Sequence, residues 1–250
     1  VTATTDQRAY RLTSIDMLRG LVIIVMAIDH ARDFFSASMS IDPLSDPNVG
    51  PALFFTRWIT HFCAPVFVCL AGVSAGLMTA RKSSGELFRF LLTRGLWLIF
   101  VEVFVISTAT TFAPGGIEQL GGRTLMFFQV IWVIGSSMVL LSLLQYLGRR
   151  VCLVLGLAIV LGHNLLDGHW PVAANLLDTS PPLWAALHTS MSHVAGPFHL
   201  LVLYPLLPWF GVMLLGFGAA GIFERAPDAR RRALIRWGLG ITTLFLVLRA

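Results

Sequence analysis

The chain has 250 residues, 56% of them hydrophobic and only 12% charged, with a mean hydropathy of +0.77. A soluble domain carries about twice that charged fraction, so a freely soluble enzyme is excluded. The formal charge of +5 and pI of about 9.7 would suggest nucleic acid in a soluble protein. Here the basic residues sit in short loops between apolar runs, which assigns them to membrane topology and not to a nucleic-acid partner. In lipid every backbone polar group must be paired internally, so spanning segments are helices or a closed barrel. The runs are too long for barrel strands and lack their alternation. The expected fold is all-α, a polytopic transmembrane helix bundle with membrane lipid as its partner.

In chain order the predicted spans are Leu18–Phe35, Trp58–Met78, Leu96–Phe112, Leu125–Leu147, Val151–Leu166, His199–Phe223 and Leu234–Leu248, about seven. The fifth is short for a hydrocarbon layer of ~30 Å and fits a tilted or partial span. Lys and Arg set the orientation. One side holds Arg8, Arg11, Arg81, Lys82, Arg89, Arg94, Arg149, Arg150, Arg225, Arg230, Arg231, Arg232 and Arg236, thirteen in all, and the other only the three Arg32, Arg57 and Arg123. The N-terminus is therefore expected in the cytoplasm. The outer side has two long connections, Ser36–Arg57 and Asp167–Phe198, the second carrying His169, His188 and His193; long loops in a compact bundle tend to be functional. No cleavable signal peptide is apparent. The chain begins at Val1 and ends at Ala250 beside an apolar run, which reads as a single domain over 1–250, truncated at its C-terminus.

Small residues and prolines have packing readings. Gly72 and Gly76 form a G-x-x-x-G, and Gly211, Gly216, Gly218 and Gly221 cluster in the sixth span; both allow close helix contact. Pro65, Pro205 and Pro208 should kink or break their helices. Cys63, Cys69 and Cys152 lie in apolar stretches without metal-ligand spacing, so they read as small buried hydrophobes, with no metal site implied.

The first span ends Asp29-His30-Ala31-Arg32-Asp33, four ionisable groups in five residues, which is costly at a membrane helix end. Asp29 and Asp33 are one turn apart on a shared face, and Asp29 and Arg32 are close enough to pair. Other polar residues fall at the same outer depth: Arg57 and His61, Gln129, His163 and Asn164 with Asp167 one turn beyond His163, and His199 with Tyr204. One such residue is usually a satisfied interhelical hydrogen bond, whereas several at one depth suggest a cavity. Glu102 differs, lying mid-span some ~12 Å from Arg94 by helical rise. A carboxylate there needs a partner, and the preferred reading is an interhelical hydrogen bond. Arg230, Arg231 and Arg232 go beyond topology, since they could hold anionic lipid or the phosphates of a nucleotide-bearing cosubstrate.

Arg11-Leu12-Thr13-Ser14-Ile15-Asp16-Met17-Leu18-Arg19-Gly20 followed by His30 resembles the opening of the transmembrane acyltransferase superfamily. In its acyltransferase-three branch an Asp-x-x-Arg precedes, at this spacing, the histidine assigned to catalysis. Phe54-Phe55-Thr56-Arg57-Trp58-Ile59-Thr60-His61-Phe62-Cys63-Ala64-Pro65-Val66-Phe67, Ala71-Gly72-Val73-Ser74-Ala75-Gly76 and Tyr204-Pro205-Leu206-Leu207-Pro208-Trp209-Phe210-Gly211 resemble bacterial membrane proteins related to the catalytic domain of heparan-alpha-glucosaminide N-acetyltransferase. The resemblance spans essentially the whole chain. It implies a multi-pass protein of the bacterial inner membrane that moves acetyl from cytoplasmic acetyl-CoA to a sugar or glycan acceptor on the outer side. In the heparan enzyme the catalytic histidine lies in the loop after the first span; Ser36–Arg57 holds no histidine.

Acyl transfer needs a base for the acceptor's proton and a donor for the developing oxyanion. The sequence assigns His30 as base, or as the acetyl-accepting nucleophile of a two-step route, with Asp29 or Asp33 orienting it. Asn164 or Gln129 could donate to the oxyanion. His61, Arg57 and His163 line the acceptor side, and Arg230, Arg231 and Arg232 face the acetyl-CoA phosphates. No metal is needed, and a homo-oligomer is compatible with the pattern. The rival is a proton-coupled membrane transporter, since intramembrane His, Asp and Glu are also carrier parts. The paired broken helices of many carriers are not evident in the sequence.

Overall fold

A computed structural model describes residues 13–35, 43–44, 46, 48–169 and 181–249. The N-terminal arginines Arg8 and Arg11, much of the Ser36–Arg57 connection and residues 170–180 lie outside the described residues. The chain divides into two compact units, Val1–Leu70 and Ala71–Ala250.

The first unit holds α1 (Thr13–Phe35) and α2 (Pro51–Thr60), and α3 (Cys63–Met78) begins in it. α2 starts with Pro51 at its first position, where the missing amide costs nothing. It breaks at His61-Phe62, and α3 resumes with Pro65 at its third position; proline cannot donate back into the preceding turn. Ile15, Val22, Cys63, Val68 and Leu70 are buried. Met17, Leu21, Ile23, Ile24 and Ile28 stay on the exposed side of α1, as a lipid-facing stripe would.

The second unit holds the rest of α3 and then α4 (Ser84–Phe100), a π-helical turn (Val101–Ile106), α5 (Ser107–Thr111), β1 (Thr124–Phe128), α6 (Val130–Leu144), α7 (Arg149–Gly162), α8 (Pro182–Leu187), β2 (Met191–Ala195), β3 (Phe198–Val202), α9 (Leu206–Ala219) and α10 (Pro227–Arg249). Ser83 and Glu86 form a reciprocal capping box at the start of α4. The core is α6 and α9 packed together, with α4 against α6 and α7 against α9. Glycines set these approaches. A Cβ on Gly95 would fall 2.6 Å from the Gly135 carbonyl oxygen, and one on Gly218 would fall 2.6 Å from Leu153 Cβ. The predicted packing role of Gly72 and Gly76 holds, for both press against Met213 and Phe217 of α9 and Ala220 just beyond it.

Among the described residues four helical segments are long and apolar enough to cross a membrane: Pro51–Met78, Ser84–Thr111, Val130–Leu147 and Arg149–Asp167. Leu206–Ile222 is a shorter apolar helix. The protein is mostly helical, but the strictly all-α expectation is corrected by a three-stranded sheet of order β1-β3-β2. β1 runs parallel to β3, with Leu125 opposite His199, and β2 runs antiparallel to β3. Thr124–Phe128 thus precedes the helix expected to start at Leu125, and Phe198–Val202 replaces the first turn of the span expected from His199. The reason for the second is Pro205, which is the N-cap of α9 and disfavours helix at the residue before it. Non-helical backbone is tolerated in such a protein where other backbone satisfies it; the ladder continues past β1 as the Leu203 amide donates to the Phe128 carbonyl at 3.0 Å.

Glu102 explains how the sheet joins the helices. It is 1% exposed, and its carboxylate accepts the Trp132 amide at 3.2 Å, with the Gln129 and Ile131 amides also interacting. These amides open α6, whose N-cap residue Gln129 makes no side-chain cap. Glu102 therefore supplies the missing cap from the neighbouring helix, a favourable place for a carboxylate at a helix N-terminus. The π-turn brings Ser107 to the same side, where its hydroxyl donates to the Glu102 carbonyl at 3.0 Å and accepts the Phe127 amide at 2.9 Å. The expected interhelical role of Glu102 is what the structure shows.

Candidate functional site

In the first unit, Asp29 is the centre of a polar cluster near the end of α1. Its carboxylate meets Arg32 at 2.7 Å and Arg57 at 3.6 Å, and it accepts the hydroxyl of buried Thr60 at 2.5 Å. The structure thus brings together Asp29 and Arg57, two of the residues singled out above. His30 and His61 are exposed, His61 at the C-cap of α2. Among the described residues no hydrogen bond joins His30 to Asp29. Asp33 lies on α1, and its side chain is outside the described residues.

In the second unit, α7 passes at His163 into a 3-10 turn, His163–His169. That turn carries Asp167. The short α8 starts with Pro182 at its first position and ends on His188 as C-cap. His188 Nε2 lies 2.7 Å from Asp167 Oδ1, with the imidazole side chain 3% exposed and the carboxylate 57% exposed. The carboxylate can only accept, so Nε2 carries the proton and the tautomer is fixed. Nδ1 is left with its lone pair, and it is buried without a hydrogen-bond partner. Leaving a buried acceptor unpaired costs about 1–3 kcal/mol. The His188 ring packs on Trp184 with centroids 4.6 Å apart and meets the His163 ring edge-on at 5.7 Å. His163 Nδ1 is likewise buried and unpartnered. Asn164 is exposed on the same turn.

His199 is another buried imidazole, on β3, with Nε2 unpartnered. Burial first, then the charge of Arg123, pushes it below the ordinary histidine range. Gln129 serves α6 as N-cap. At the far end of α7 from Asp167, Arg149 binds Glu224. Arg230 donates to the Phe223 carbonyl at 3.3 Å, and Arg231 and Arg232 are exposed near the start of α10.

The sequence places His163 at a polar site with Asp167 one turn from it, and shows His188 only as a loop histidine. Its partner is 21 residues away, and no local spacing announces such a pair.

The family described as heparan-alpha-glucosaminide N-acetyltransferase, catalytic, matches residues 11–247. The chain belongs to this family. It is thereby a membrane protein of an acetyltransferase family, as the apolar helices and the resemblance led one to expect. No curated protein and no solved structure matches the chain.

Proposed function

We propose that this chain transfers an acetyl group from cytoplasmic acetyl-CoA to an amine or hydroxyl, in the first instance that of an amino sugar or glycan, on the outer side of the bacterial inner membrane. The observation that carries the reading is membership of the acetyltransferase family over 11–247. The segregation of charge supports its sidedness. Along the second unit, Arg149 stands at the start of α7 and Asp167 lies ~29 Å of helical rise away, with the 3-10 turn from His163 included, about one hydrocarbon thickness. Arg225, Arg230, Arg231 and Arg232 fall at the Arg149 end by the charge count, where they suit the phosphates of the donor. The histidines and Asp167 fall at the opposite end, where they suit an acceptor.

The reaction forms a bond from the acceptor's nitrogen or oxygen to the thioester carbonyl carbon and breaks the carbon–sulfur bond, so it needs a base. Among the described residues the imidazoles that suit this role are exposed His30 and His61 in the first unit and, in the second, His163, His188 and His199, each with a buried ring nitrogen that has no partner. Seven spans with a cytoplasmic N-terminus complete the proposal, with α1 and α10 joining the apolar helices despite their charges.

The experiment is purified protein in liposomes with radiolabelled acetyl-CoA on one face and a panel of amino sugars, simple amines and polyols on the other. Labelled acetylated acceptor is expected. No labelled product from any acceptor, together with proton-driven uptake of one of them, would replace the enzyme by a carrier.

A further inference from the structure

We infer that His188 is the base that takes the acceptor's proton, acting through Nδ1 while Asp167 holds Nε2–H. This rests on the acetyltransferase reading and goes beyond it by assigning the reacting nitrogen. Three observations carry it. The Asp167 carboxylate sits 2.7 Å from His188 Nε2, which fixes the tautomer and leaves Nδ1 as a proton acceptor. Nδ1 is buried and has no partner, so a bound N–H or O–H is the donor it lacks. The ring packs against two others, Trp184 at 4.6 Å and His163 at 5.7 Å between centroids, so its orientation is set before substrate arrives.

In the step so assigned, the acceptor's nitrogen or oxygen bonds to the thioester carbonyl carbon as its proton passes to His188 Nδ1. The carbon–sulfur bond then breaks, and the departing thiolate takes up that proton, which returns the imidazole to its neutral form. Asp167 never gives up or gains a proton; it stabilises the imidazolium while it lasts. Asp167 is a positioning residue.

The test uses the full chain in liposomes, with the acetyl-CoA assay above. His188→Ala should lower kcat by ~10²–10⁴-fold with little change in KM, as for loss of a general base. His188→Gln keeps the side chain's bulk and a donor for Asp167 but cannot take a proton, and should lose as much while melting like wild type. Added imidazole should restore part of the His188→Ala rate. Asp167→Asn should lower kcat less. It should leave KM close to the wild-type value, as a group that acts only through His188 would. Asp167→Glu should recover most of the rate. If wild type transfers acetyl and His188→Gln turns over near the wild-type rate, the base assignment falls and the acetyltransferase reading stands. If wild type transfers nothing, both fall.

Discussion

Arg149 grips Glu224 with both of its terminal nitrogens, each at 2.7 Å from a different carboxylate oxygen. The same guanidinium donates to the Gly76 carbonyl at 2.7 Å and to the Thr79 hydroxyl. One side chain at the start of α7 thus ties the end of α3 to the connection between α9 and α10. The planar fork of arginine suits this bidentate geometry, and lysine could not reproduce it.

The pair has a pH signature. The hydrogen bonds from Arg149, more than its charge at a distance, hold the Glu224 carboxyl below its ordinary range, against the opposing effect of burial. A carboxylate depressed on folding adds stability that is present above its unfolded pKa and is lost as pH falls through the folded one. The contribution should therefore be full at neutral pH and fade below the usual glutamate range. Glu224→Gln should lower the melting temperature in detergent by about 2–4 °C at pH 7, equivalent to ~1 kcal/mol after allowance for solvent screening. The difference from wild type should vanish at the acidic end. A difference that grows as pH falls would contradict this sign.

Close helix contact gives a second prediction. A Cβ on Gly135 would fall 2.7 Å from the Gly95 carbonyl oxygen, as one on Gly95 would fall 2.6 Å from that of Gly135. Neither obstacle is a flexible side chain, so α4 and α6 must separate to admit alanine at either position. Gly95→Ala and Gly135→Ala should each cost ~1–3 kcal/mol, and the double variant less than the sum, because one separation serves both. Gly238 in α10 has open space around it, so Gly238→Ala should be neutral or stabilising. Melting curves of the four variants decide it, and a wild-type curve for Gly95→Ala would remove the contact.

Glu102 yields the third. Glu102→Gln keeps an oxygen for the Trp132 amide, whereas Glu102→Leu leaves the opening amides of α6 without their acceptor. The leucine variant should lose ~1–3 kcal/mol, and the glutamine variant clearly less. Were leucine as stable as wild type, the carboxylate would not be the cap.

Local signals made part of this legible in the sequence. Gly72 and Gly76 declare their contact by spacing alone. Glu102 declares its need of a partner because an isolated carboxylate in that apolar run is untenable, though nothing in the run says that the partner is a helix start. Depth along α1 and α2 can be counted from the sequence, which puts Asp29 and Arg57 in one layer, as their pairing requires. The sheet was hidden because Thr124–Phe128 and Phe198–Val202 are nearly uniform apolar runs, which read equally as buried helix. Their pairing joins strands some seventy residues apart. His188 was hidden for the same reason: its meaning lies in a side chain across a long connection.

The orientation of the helices makes the last prediction. On the charge count of thirteen Lys and Arg against three, the basic loops are expected to stay inside, because basic residues resist export. Reporter fusions after Lys82, at Gly148 and at Ala226 should therefore read cytoplasmic. Fusions at Gly50 and at Gly115 should read exported. The sheet does not disturb this pattern. β1 follows the connection at Gly115 and feeds α6, while β2 and β3 precede α9, so on this reading the three short strands add no crossing. Each crossing fixes the side of the next, so the result is sensitive to a single error. A cytoplasmic signal at Gly115 would mean that Ser84–Thr111 does not cross. It would also put the Asp167–His188 pair on the donor side, which would sink the proposal that the pair serves an outer acceptor.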